Sequence, residues 1–303
     1  MDEIKHHGAY PTSTKFNNLE WLKRTDAMPI PHREENPYVD AFWKWWPDIY
    51  TTLNYFRITG GEPLLTKDTF KVLDYIIANP NPNLEVAVNS NMCPPVQLLD
   101  KFIEKIKIIV AEKKVKKFKI FTSCDAYGKR ADYIRHGLDY NEWKENIERV
   151  LKEVPGISFT VMSTYNALSV FNYLDFMKDM LSLRVDYQTV DEPTPVILDI
   201  PYLRFPNHQA VFILPKSMIA PMEAQVKFMY DNLISPNGTG FHEFEADKFK
   251  RIYEMLLHRD ESPYVTLEQR DFVTFVDEHD KRRGTNFLDT FPEFRDAYEL
   301  WGD

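Results

Sequence analysis

Two adjacent glycines followed by a carboxylate, Gly60-Gly61-Glu62, are the residues of this chain best suited to holding a small molecule. Lacking Cβ atoms, the glycines open backbone conformations closed to other residues and let a ligand come close, and a carboxylate beside them suits an ammonium group. Taken alone, the tripeptide also reads as a β-to-α turn with a solvated acid. Three more polar clusters follow: Asn89-Ser90-Asn91, Thr122-Ser123-Cys124-Asp125 and Ser163-Thr164-Tyr165-Asn166. Asparagines in such places are turn formers or hydrogen-bond donors to a ligand.

The elements that position these clusters follow from periodicity. A β-rich run from Tyr55 to Thr59 hands over through Pro63 to an amphipathic helix with Phe70, Leu73, Ile76 and Ile77 on one face. Strands are expected at 84–91, 115–122 and 157–163, and one or two more between 196 and 215. Helices expected at 95–110, 140–153 and 171–183 separate them. Alternation of this kind predicts a parallel sheet with right-handed crossovers, and each polar cluster falls at a strand end, where a (β/α) barrel keeps its active site.

Outside this core the pattern is helical. Helices are expected at 221–233, 243–258, 266–282 and 291–301, with Asn237-Gly-Thr-Gly240 a flexible break. Residues 1–53 read as irregular, with a short helix around 18–23 and a helix over 38–49 whose Phe42, Trp43, Trp45 and Trp46 cannot all point one way and are expected to be core aromatics, a stacking platform being the rival reading.

With 303 residues, 44% hydrophobic and 27% charged, the composition is that of a globular protein with a sizeable core. No run of about eighteen apolar residues is available to span a bilayer, and residues 1–7 lack the apolar stretch of a secretory signal, so no membrane partner and a cytoplasmic location are expected. A formal net charge of −9 argues against a nucleic-acid partner held by overall electrostatics. The basic run 113–119 reads as a solvated helix end and strand edge, or as a phosphate contact. Two cysteines, Cys93 and Cys124, are too few for a disulfide framework or a zinc site, the histidines show no ligand spacing, and no metal site is expected. Cys124 is expected to be a half-buried structural thiol.

The string Thr59-Gly60-Gly61-Glu62-Pro63-Leu64, followed at later strand ends by Asn89-Ser90-Asn91 and Ser123-Cys124-Asp125, resembles the strand-end motifs of radical S-adenosylmethionine (radical SAM) enzymes. The resemblance covers 54–215, and more loosely 216–303, where the stretch from Phe272 to Glu293 is similar to the tail of twitch-domain members. It implies an α/β fold: a partial (β/α) barrel of the radical SAM type over 54–215, an N-terminal segment 1–53 and a helical C-terminal region 216–303. By the same resemblance Gly60, Gly61 and Glu62 bind the amino group of the methionine moiety, with Pro63 closing the turn. Ser123 and Asp125 would hydrogen-bond the cofactor and Arg135 would grip a carboxylate, a helix cap or surface ion pair being the rival reading for these three. Asn89, Ser90, Asn91, Ser163 and Asn166 would line the mouth.

The implied cofactors are S-adenosylmethionine and a 4Fe-4S cluster, but the CxxxCxxC segment that binds the cluster is absent from this chain. Three expectations result. The cluster-bearing segment lies upstream or on a separate chain, and the assembly performs 5′-deoxyadenosyl radical chemistry on an unknown small-molecule or peptide substrate. Alternatively the chain is a cluster-free module that binds S-adenosylmethionine or a nucleoside, or an unrelated (β/α) protein in which Gly60-Gly61-Glu62 is only a turn. Near the C-terminus, Arg282 and Arg283 are expected to pair with Asp277 or Asp280, a substrate carboxylate or phosphate being the rival reading, and the sequence identifies no partner for His279.

Overall fold

Five runs rich in β-branched and aromatic residues pair into one parallel sheet: β1 (Tyr55–Ile58), β2 (Asn81–Asn89), β3 (Val115–Ser123), β4 (Ser158–Met162) and β5 (Val196–Asp199). They hydrogen-bond in sequence order, β1-β2-β3-β4-β5, all parallel. The structure is a computed structural model that describes residues 6–11, 19–28, 36–235, 239–260 and 262–302. Asn237 and Gly238 of the expected flexible break lie outside the described residues.

Parallel neighbours that are consecutive in sequence need a crossover, and crossovers of one hand all return over the same face. The helices Lys67–Ala78, Val96–Ala111, Tyr140–Glu153 and Tyr173–Tyr187 make these crossovers and touch one another in that order. Toward them the strands present Val86, Val88, Ile120, Phe159, Val161 and Leu198, all 1% exposed or less. Leu73, Phe102, Ile147 and Phe176 on the helices are equally buried. Each such side chain contributes about 1.5–3 kcal/mol of burial. One polar residue joins them: Thr122 Oγ1 accepts from the Trp143 indole N–H at 2.8 Å.

The opposite face follows from the two-residue alternation. It carries Arg57, Glu85, Asn89, Lys119, Phe121, Ser123, Met162 and Asp199, with Asn89 opposite Phe121, Ser123 opposite Met162, and Met162 opposite Asp199 in register. One face is therefore apolar and covered, and the other is polar.

Of the one or two strands expected between 196 and 215, one forms. Val211–Ile213 is a 3-10 turn instead, since β-propensity is expressed only where a neighbouring strand offers an edge. Helices Pro221–Asp231 and Glu243–His258 follow. The second is fastened by a fully enclosed ion pair: Arg184 Nη1 donates to Glu245 Oε2 at 2.9 Å and to Gly240 O at 2.7 Å, while Glu245 also accepts the N–H groups of Leu198 (2.6 Å) and His242 (2.8 Å). Gly240 has to be glycine, because a Cβ there would lie 2.5 Å from Asn232 O.

Two compact units result. Residues 51–204 group with 210–259, and 1–50 group with 205–209 and 260–303. Helices 221–231 and 243–258 thus go with the sheet. The other unit contains helices Leu19–Arg24, Pro37–Tyr50, Val265–Arg283, Phe287–Thr290 and Arg295–Gly302, and has its own aromatic cluster in which Phe272 meets Phe287, Phe294 and Trp301 at 5.5–5.8 Å. In the helix Pro37–Tyr50, Trp46 is buried as expected of a core aromatic, but Trp45 is 60% exposed. Adjacent residues on a helix point about 100° apart, so all four aromatics cannot share one face.

The same unit corrects the expectation for Arg282. Its Nε donates to Glu278 at 2.7 Å and its guanidinium lies over the Tyr10 ring at 4.0 Å. Glu278 precedes it by four residues and shares its helix face, whereas Asp277 and Asp280 do not; Asp277 accepts from Tyr298 OH, and Asp280 accepts the Phe287 N–H at 2.6 Å. His279, in turn, accepts from Arg283 Nε at 3.4 Å. Among the described residues no helix is long and apolar enough to cross a membrane.

Candidate functional site

A cavity of about 360 Å³ opens at the carboxyl ends of the strands. Gly60 and Gly61 border it after β1; Asn89, Ser90, Asn91 and Cys93 do so from the end of β2 and its loop. Phe121 and Ser123 of β3 and Met162 of β4 complete the strand-borne wall, and the loop 135–138 supplies Arg135, His136, Gly137 and Leu138. Seven of the twelve residues singled out from sequence thus share one cavity: Gly60, Gly61, Asn89, Ser90, Asn91, Ser123 and Arg135.

The β1 loop is shaped by its glycines. Gly60 has φ +138°, which side-chain-bearing residues rarely adopt, and a Cβ added at Gly60 or Gly61 would meet nothing within 4 Å. Open space therefore lies where their side chains would be. Glu62 and Pro63 do not border the cavity. Glu62 Oε1 accepts the Leu64 N–H at 3.0 Å, capping the 3-10 turn Pro63–Leu65, and Oε2 accepts the Asn91 N–H at 2.7 Å. The carboxylate staples the β1 loop to the β2 loop, and Pro63 is buried as the first residue of the turn.

The β2 loop is similarly tied. Ser90 Oγ accepts the Met92 N–H at 3.0 Å, Asn91 Oδ1 accepts the Cys93 N–H at 2.9 Å, and Asn146 Nδ2 donates to Met92 O at 2.7 Å. These bonds hold Met92, fully buried, at φ +60°, a strained conformation for a side-chain-bearing residue. Asn91 is thus both turn former and cavity wall.

After β3, Asp125 is 4% exposed and engaged from three directions. Its Oδ2 accepts from Arg135 Nε at 2.7 Å, and its Oδ1 accepts from Arg135 Nη2 at 3.2 Å and from the Thr164 N–H at 2.7 Å. Burial pushes its pKa up, against the pull of the guanidinium and the two-sided hydrogen bonding. The carboxylate that Arg135 grips is therefore the chain's own. Arg135 itself is 36% exposed and keeps a side toward the cavity.

Ser163 and Asn166 do not reach the cavity. Ser163 is fully buried near Tyr173, and the two hydroxyls approach without forming a hydrogen bond of ordinary geometry. Asn166 is a turn former: Oδ1 accepts the Leu168 N–H at 2.9 Å and Nδ2 donates to Thr164 O at 3.0 Å. Sequence reasoning in turn missed Cys93, Phe121, Met162 and the 136–138 loop. For Phe121 and Met162 the signal was available, since both share the strand face of Asn89 and Ser123 by alternation.

The cysteines part company. Cys124 is fully buried rather than half-buried, and its thiol donates to Ala126 O at 3.2 Å; β3 runs beneath the loops and encloses its own end. Cys93 is half-buried, and burial with the nearby Glu142 charge pushes its pKa up to about 12. A 4Fe-4S cluster takes thiolate ligands, three of them from one loop in the resembled family, and two thiols from different strand ends do not fit that role. Among the described residues no group of three or more His, Cys, Asp or Glu side chains is placed to hold a metal ion. No protein-family model matches the chain, and no curated protein matches it either.

Proposed function

We propose that this chain is the S-adenosylmethionine-binding part of a radical SAM-type enzyme built on a partial (β/α) barrel. One observation carries the reading: polar and glycine residues from three successive strand ends, far apart in sequence, border a single cavity at the carboxyl ends of a parallel sheet. The strand order supports the barrel. Consecutive parallel strands with crossovers on one face curl toward closure, whereas a doubly wound sheet reverses its order and carries helices on both faces.

In this reading the open space at Gly60 and Gly61 admits the methionine part of the cofactor. Asn89, Ser123 and Arg135 offer polar contacts along the opposite wall. The chain's own residues bind and orient the cofactor, while the cluster's thiolate ligands come from a separate chain or from sequence outside these 303 residues. A second reading, a cluster-free module for S-adenosylmethionine or a nucleoside, is favoured by the two cysteines, which lie at different strand ends and are one short of a cluster's three thiolates.

Calorimetric titration with S-adenosylmethionine tests both. Saturable binding by the wild type is expected to disappear in Gly61→Leu, which fills open space, with the melting temperature unchanged; binding undiminished in that variant removes the cavity assignment. Glu62→Gln asks whether that carboxylate takes part: a tenfold or greater loss supports an ammonium contact at Glu62, and an unchanged affinity removes any cofactor role for it. Anaerobic reconstitution with iron and sulfide, in the presence of any cysteine-bearing partner chain, separates the two readings.

A further inference from the structure

Cations from the strands and from the helix Glu243–His258 reach the carboxylates around the polar face of the sheet. Lys116 and Lys119 share Glu85 at 2.9 and 3.4 Å, Lys117 meets Glu192 at 2.6 Å, and Lys248 meets Asp199. Arg57 on β1 meets none among the described residues. Its Nε donates to Asn89 Oδ1 at 2.7 Å, its Cζ lies 3.8 Å from the centroid of the Phe121 ring, and its Nη2 is 3.7 Å from Met162 Sδ.

Asn89, Phe121 and Met162 all border the cavity. The bond to Asn89 and the stack on Phe121 fix the plane of the guanidinium, and a thioether is a weak acceptor. What remains is the Nη1/Nη2 edge, two parallel donors at the spacing that grips a carboxylate or a phosphoryl group. In a chain of formal net charge −9, a guanidinium with no carboxylate among the described residues, next to three side chains that border the cavity, is a local positive charge suited to an anion.

We propose that Arg57 is an oxyanion seat, and that the second ligand of the cavity, the substrate, carries a carboxylate or phosphoryl group bound edge-on to it. The inference rests on the cofactor reading above for the division of the cavity between two ligands. The seat itself rests on the geometry of Arg57. Phe121 and Asn89 are positioning residues here: they hold the exposed guanidinium flat beside the cavity wall that they themselves form, with little rotational freedom left to lose on binding.

Met162 supplies the readout, because its sulfur touches Arg57 and its side chain borders the cavity. Protein labelled with ¹³C at the methionine methyls, with the Met162 signal assigned through Met162→Leu, is titrated with inorganic phosphate, with glutarate, and with chloride at matched ionic strength. The expected result is a saturable movement of the Met162 signal with phosphate or glutarate and not with chloride, the tighter of the two naming the group. Arg57→Gln is expected to weaken that binding about tenfold or more, and Arg57→Lys, which keeps the charge but loses the fork, by an intermediate amount. No movement, an equal response to chloride, or an unchanged affinity in Arg57→Gln overturns the seat.

Repeating the titration with S-adenosylmethionine present separates the two readings. An anion response that persists at saturating cofactor supports a substrate seat. A response abolished by the cofactor makes Arg57 part of the cofactor's own site and overturns the assignment to substrate. If S-adenosylmethionine fails to bind while the anion response persists, the cofactor reading falls and the seat stands.

Discussion

Arg184–Glu245 and Arg135–Asp125 are the same chemical pair in opposite surroundings. Both arginines meet their carboxylate through two nitrogens. Around Arg184 and Glu245 everything is closed: both side chains are 0% exposed, Phe241 lies 4.8 Å from the guanidinium, and the carboxylate also accepts two backbone N–H groups. Around Arg135 one side is open, at 36% exposure against 6% for Asp125. Neither member of the closed pair can find water if the other leaves, so that pair fixes the helix Glu243–His258 to the helix Tyr173–Tyr187, and the Leu198 N–H adds β5. In the open pair the arginine can be solvated when it lets go, while Asp125 stays enclosed with the Thr164 N–H. Burial of the surroundings, more than the identity of the two groups, separates a pair with no free member from a pair with one.

The largest effect that would test this difference is Glu245→Gln. It leaves the Arg184 charge enclosed and uncompensated, and is expected to cost about 3–5 kcal/mol in urea unfolding. A loss below about 1 kcal/mol would mean that Arg184 reaches water or another partner, and the pair would no longer count as closed. Asp125→Asn should cost less, about 1–3 kcal/mol, because Arg135 turns to solvent while the Thr164 N–H keeps an acceptor. Equal costs for the two variants would erase the distinction.

The smallest effect on stability belongs to the cysteines, which repeat the contrast without charge. Cys93→Ser should stay within about 0.5 kcal/mol of wild type. The Cys93 thiol, with its pKa raised from 9.0 to about 12, is expected to react with iodoacetamide at pH 8 about a thousandfold more slowly than an ordinary thiol, its rate climbing with pH until the thiolate forms near pH 12. Cys124 should remain unmodified until the protein unfolds. Alkylation of Cys124 in the folded state would show that the β3 end is not enclosed.

The strand ends are legible in the sequence because two signals coincide there: a β-branched run stops, and small polar residues or glycines begin. That places Gly60, Asn89, Ser123 and their neighbours at one end of a sheet, and the cavity follows from the parallel order. Where each polar atom spends its hydrogen bonds is not legible. Glu62 reads as a ligand-facing acid, yet its partner is the N–H of Asn91, 29 residues on, brought near only by the register of β1 and β2. Asp125 and Arg135 read as two separate cofactor contacts and turn out to contact each other. Asn166 has the composition of a site residue and the bonding of a turn. Arg57 can be placed on a face by alternation, but which face the helices leave uncovered depends on the hand of the crossovers. By contrast, the pairing of Arg282 with Glu278 was available from spacing alone, since residues four apart share a helix face and residues two or five apart do not.

Because Arg135 already holds Asp125, any acid that reaches Arg135 from the cavity meets a resident rival. An arriving carboxylate competes with one tethered permanently within reach, so the affinity it displays is the difference between two pairings and not the worth of one. In the reading proposed above, a lone small acid would lose that contest, and a ligand that also occupies the space beside Gly60 and Gly61 and reaches Ser123 would bring additional contact to it. Arg135 would then set an admission threshold that Arg57, with no carboxylate to displace among the described residues, does not.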